Sequence, residues 1–153
     1  MDIVHALLVM LHVITAAAWF GIALRLGAQG RKVASYGDDN HETRLALAAE
    51  GSHSVRLMGI FLLLTFVFSM GILALGGGYP DQTQYHIASA LIVVLIATHY
   101  FLIRPAWMRL SSDSDSAKGA AKRLVMGVGM GHLIWLTLIV LMFWNRFSLV
   151  WYN

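Results

Sequence analysis

Seven histidines are spread through a chain of 153 residues in which 58% are hydrophobic and only 12% are charged. That contrast makes the histidines the first place to look for chemistry. An ionisable side chain inside an apolar run is costly and is usually kept for a task. Taking run midpoints near Thr15, Leu64, Ile96 and Trp135, with a rise of about 1.5 Å per residue, places each histidine in depth. His12 falls roughly 4 to 5 Å to one side of the midplane, and His99 and His132 roughly 4 to 5 Å to the other. A neutral imidazole at such a depth needs a hydrogen bond or a metal.

Two cofactors suit these three residues. A haem is a large apolar disc that takes one or two His ligands between the helices of a bundle. The chain has no cysteine, so disulfides, Cys-ligated clusters and thioether-attached haem are excluded. A haem here would be a noncovalent, b-type group. Ala16, Ala17 and Ala18 thin the wall after His12, and Gly127, Gly129 and Gly131 thin it beside His132. Copper is the alternative, with Met126 and Met130 at i, i+4 adding soft ligands to His12, His99 and His132. Against both stands a plainer role, since a lone His within a span often serves a helix–helix hydrogen bond and Met often fills a core.

Weaker positions flank these. His5 and His86 fall near one interface and His53 near the other, as secondary metal candidates, while His41 lies in a loop. His5 and His12 are seven apart and share a helix face, whereas His86 and His99 are thirteen apart and do not. Arg25 and Arg104, at the inner ends of their runs, suit haem propionates or a quinone headgroup, or simply snorkel to the surface. Glu50, His53 and Arg56 form a polar cluster where the second run begins. Trp107, Trp144 and Trp151 read as an interfacial belt, and Trp19 and Trp135 as deeper residues. No phosphate loop, His-Glu-x-x-His motif or nucleophile–base arrangement appears, so hydrolase and NTPase readings have no support.

The elements that position these residues are four apolar runs, at about 3–27, 54–75, 86–107 and 124–145. Each reaches the ~20 residues that cross a hydrocarbon core. Only helices suit them, because a lone strand in lipid leaves its backbone unpaired. The reading is an all-α membrane protein, one transmembrane domain over residues 1–153 built as a four-transmembrane-helix bundle. The first run lacks a basic n-region and is too long for a signal peptide. Residues 28–53 read as a polar loop in which Asp38-Asp39-Asn40 cap a short helix from about His41. Residues 76–85 read as a tight Gly-rich turn, and 110–120 as a flexible Ser/Asp/Lys/Gly linker.

Charge sets the orientation. Arg25, Arg31, Lys32, Arg44, Arg56, Arg104, Arg109, Lys118, Lys122 and Arg123 fall on one side, leaving only Arg146 opposite. The positive-inside rule then puts loops one and three in the cytoplasm and both termini outside (N-out/C-out). The net charge of +3 thus reads as a topology signal, with the bilayer and not nucleic acid as partner.

The segment Leu11-His12-Val13-Ile14-Thr15-Ala16-Ala17-Ala18-Trp19-Phe20-Gly21 resembles the first span of a bacterial inner-membrane superfamily. That superfamily includes the CopD-like copper-resistance proteins and the HemJ-like haem-dependent protoporphyrinogen oxidases. Thr98-His99-Tyr100, followed by Arg104, resembles the third span of the oxidases. The resemblance implies that His12 and His99 contact haem, with His132 as an additional site. It departs at two places. The oxidases' Leu-Pro-Arg-Leu is matched by Ala23-Leu24-Arg25-Leu26, without proline, and Ala88 stands where they carry a lysine. The function expected is a b-type haem protein of the inner membrane, moving electrons to or from quinone or a porphyrin-type substrate. Were it an enzyme, it would be an oxidoreductase. Two alternatives stand beside it. One is copper handling; the other is a non-catalytic role in a homo-oligomer or larger membrane complex.

Overall fold

The computed structural model describes residues 3–36, 40–75, 83–111 and 114–151, with side chains at all of these except 111, 114, 115 and 144–151. The described residues are helical almost throughout. Helix α1 covers Ile3–Ser35, α2 His41–Leu75 and α3 Thr83–Thr98. A single π turn, His99–Ile103, continues α3 into the short α4, Arg104–Met108. A 3-10 turn over Arg109–Ser111 leads towards α5, Ser114–Trp151. Four stretches are long and apolar enough to span a membrane: Ile3–Ser35, His41–Leu75, Thr83–Met108 and Ser116–Phe143. The protein is a four-helix membrane bundle.

Its surface is inverted relative to a water-soluble bundle. Phe101 is 82% exposed, Leu133 67% and Val67 59%, so the outer faces carry large apolar side chains. Helices apolar on every face belong in lipid. The buried stripes instead mix small and polar residues with a few large apolar ones. Along α1 the stripe is His12, Thr15, Trp19, Ala23, Leu26, Gly30 and Val33. Along α2 it is Arg44, Ala48, Gly51, Val55, Met58, Leu62 and Thr65. Steps of three and four keep each stripe on one face. The two stripes meet along the most extensive helix–helix seam of the molecule, and α5 packs against α1 and α3.

Two loop expectations are corrected. Residues 28–53 are not a polar loop: α1 runs on to Ser35, and α2 starts at His41 as a full-length helix, not a short one. Helices of 33 and 35 residues are about 50 Å long, some 20 Å beyond the hydrocarbon core. The extensions stay helical because they keep a core of their own. Val33, Leu110 and Ala117 are fully buried there, beside Ala48, Ala120 and Leu124. The linker expected at 110–120 is likewise helical from Ser114. Asp38 and Asp39, and most of the Gly-rich turn at 76–85, lie outside the described residues.

Trp107 locks the basic end. Its ring is buried, and its Nε1–H donates to the Ala48 carbonyl at 3.0 Å and to Ser52 Oγ at 3.2 Å. The ring lies so close to Gly51 that a Cβ there would overlap it. Gly51→Ala should therefore destabilise the bundle by about 1–3 kcal/mol through overpacking. Gly21→Ala, where nothing lies within 4 Å, should be neutral or stabilising by up to about 1 kcal/mol. Melting of the two variants in one detergent compares them directly.

Candidate functional site

His12 is the best-furnished of the buried histidines. It sits on α1 facing α2, with Nδ1 3.2 Å from the Thr65 carbonyl and 3.0 Å from Ser69 Oγ. A carbonyl oxygen only accepts, so the arrangement requires the proton on Nδ1. In the other tautomer two lone pairs would face each other. Nε2 then carries the ring's free lone pair. Beneath the ring, the Thr65 hydroxyl donates to Thr15 Oγ1 at 2.9 Å, and Thr15 donates to carbonyls of its own helix. His12 Nδ1 and the hydroxyls of Thr15, Thr65 and Ser69 thus all have partners among the described residues.

Two cavities meet at His12. One, of about 280 Å³, runs between the helices past Ala16, Trp19, Leu62, Leu95 and Trp135. The other, of about 220 Å³, is lined by Ser69, Tyr85 and Ser89. His12, Val13, Ile92 and Met142 line both. The larger is almost wholly apolar, with His12 and Thr65 among its few polar residues.

His99 stands elsewhere. It opens the π turn and is 1% exposed. The turn has a local cause. Pro105 cannot donate a backbone hydrogen bond and crowds the preceding turn, and the wider winding relieves it. Arg104 N–H reaches back to the His99 carbonyl across this turn. The imidazole lies against Gly59 of α2, with Nε2 2.7 Å from where a Cβ would stand. The Tyr100 ring meets it edge-on at 5.0 Å. This pair lines a separate cavity of about 470 Å³ with Arg56 and Arg104. His132, half-buried on α5, meets Phe20 edge-on at 5.1 Å, and Phe20 stacks on Trp135. His99 Nδ1, His132 Nε2 and Trp19 Nε1 are buried without a hydrogen-bond partner among the described residues.

The structure thus brings His12 together with Thr65 and Ser69, but not into one cavity with His99. Among the described residues, no group of three or more His, Asp or Glu is placed to hold a metal ion. Arg104 lines the His99 cavity, and Arg25 lines another, between α1 and α2. His5 is half-buried, while His86, His53 and His41 are exposed, and His41 Nδ1 contacts Arg44 at 3.0 Å. Glu50, His53 and Arg56 are all exposed, and of these only Arg56 reaches the His99 cavity. Met126 and Met130 face outward, 58% and 43% exposed. Sequence reasoning missed Ser69 and Gly59. The available signals were Thr65 and Ser69 at i, i+4, and one glycine in the apolar centre of the second run. Comparison with family models, curated proteins and solved structures finds no match to this chain.

The hydroxyl pair yields a test. Thr65→Val and Thr15→Val should each cost about 0.5–1.5 kcal/mol, the range of interhelical hydrogen bonds in membranes. The double variant should cost less than the sum, because both remove one shared bond. Unfolding titrations of the four proteins in mixed micelles give the coupling.

Proposed function

We propose that the protein binds a b-type haem through His12 and serves electron transfer in a bacterial inner membrane. One observation carries this reading. The His12 ring is held by Nδ1–H on a backbone carbonyl, which leaves Nε2 as the ring's free nitrogen, and the residue lines two intramembrane cavities. Haem- and metal-ligating histidines are oriented in this way, with the second nitrogen fixing tautomer and basicity. The apolar lining suits a macrocycle held without covalent bonds. His99 and His132 line other parts of the bundle, so the reading does not draw on a His12–His99 axial pair. Copper handling has less support, because the histidines are not gathered and the Met pair faces outward.

Bound haem would supply a one-electron couple or an open axial position. The chain's own residues do the rest. Thr65 and Ser69 fix the imidazole, and the hydrogen bond to Thr65 raises the basicity of Nε2. Leu62, Ile92, Leu95 and Leu138 keep water from the site. A quinone in the membrane, or a porphyrin-type molecule, is the redox partner that this placement favours.

Wild-type protein purified from haem-replete cells should carry about one haem per chain and show a Soret band. His12→Ala should lose most of it, with the apoprotein destabilised only by loss of the Thr65 and Ser69 contacts, about 0.5–1.5 kcal/mol. Haem-free wild type from such cells would sink the proposal. The same reading puts both termini outside the cytoplasm. A C-terminal alkaline phosphatase fusion should be active, and a green fluorescent protein fusion at that end should stay dark.

A further inference from the structure

The cavity beside His99 has a second feature that the haem reading does not use. Two guanidinium groups from different helices, Arg56 of α2 and Arg104 of α4, line the same groove between those helices. Both residues are exposed, and neither makes an ion pair with a carboxylate among the described residues. The Arg104 Cζ sits 5.9 Å over the Tyr100 ring, a cation–π contact that restrains the head group. The Tyr100 hydroxyl lies 3.5 Å from where a Cβ of Gly59 would stand, so it too borders the groove. Ser52 adds a second hydroxyl. The remaining wall is apolar, with Val55, Ile60 and Met108.

Two like charges converging on one groove repel each other unless an anion lies between them. Guanidinium groups favour phosphate oxygens, which they can meet in bidentate fashion. The apolar wall selects an anion that carries hydrocarbon. The groove lies on two membrane-spanning helices and reaches toward their basic ends. We infer that this groove is a binding site for one anionic phospholipid, with its phosphate between Arg56 and Arg104 and its first acyl carbons running past Ile60 toward the midplane. Basic pockets between transmembrane helices recognise anionic lipids in this way. The neighbouring basic groove of Arg31, Lys118 and Lys122 lies between the α1 and α5 extensions and serves as a control.

The test is independent of haem. The full chain is placed in nanodiscs of phosphatidylcholine and phosphatidylglycerol at four to one, and lipids retained on ejection are identified by native mass spectrometry. Wild type should keep one phosphatidylglycerol well above its share of the bilayer. R56Q/R104Q should lower that retention about 10- to 30-fold, on the scale of about 1 kcal/mol per basic residue. R31Q/K122Q removes the same charge and should leave retention unchanged. Should the double variant fail to fold, R56Q alone should lower retention about fivefold. Retention of the two lipids in their four-to-one bilayer ratio by wild type would overturn the inference, as would equal loss in both double variants. Loss of haem from R56Q/R104Q with phosphatidylglycerol retained would also overturn it, and would assign the anion to haem carboxylates.

Discussion

Inside a bilayer a polar atom has no water to turn to, and the α1–α2 seam is organised by that constraint. Thr65 donates to Thr15 across the seam, and the Thr65 carbonyl and Ser69 Oγ meet His12 Nδ1. With no hydrophobic force between helices in lipid, small residues and such bonds must hold the bundle. Glycines accordingly admit large side chains from other helices: Gly51 of α2 receives Trp107 of α4, and Gly131 of α5 meets Trp19 of α1 and Leu95 of α3 at 3.4 Å. The same constraint gives His12 its character. Its Nδ1 is consumed by the seam, so any chemistry falls to Nε2. Stability and the candidate site therefore share one hydrogen-bonded crossing.

The membrane bundle was legible in the sequence because its signal is bulk composition. Runs of about 20 apolar residues survive any error in registering individual faces. The extensions were not legible. Residues 28–53 look polar, yet Gly30, Val33, Arg44, Ala48 and Gly51 continue the buried stripes of the spans. A stripe of mostly small residues carries little hydropathy and is hidden among charged neighbours. Its packing against Leu110, Ala120 and Leu124 exists only once the chain is folded.

The sequence tells how far along its helix each histidine stands but not which way it points. Rise per residue places His12, His99 and His132 near the midplane. Which neighbours a ring meets depends on rotation about the helix axis, and the π turn after Thr98 alters that rotation along the third span. Pro105 was the local clue to that turn, and Gly59 is its counterpart on α2, the one position that lets the His99 ring come close. Arg104, read as a propionate or quinone partner or as a snorkelling residue, lines the His99 cavity together with Arg56.

The central claim is that His12 offers Nε2 to a metal while Thr65 holds its other nitrogen. Replacing the ring with a hole and supplying the ligand from solution tests this most directly. His12→Gly, purified in haem with graded imidazole, should recover a wild-type-like Soret band and reduced-state spectrum as imidazole fills the gap. Full haem content with an unchanged spectrum in His12→Gly without imidazole would contradict the account.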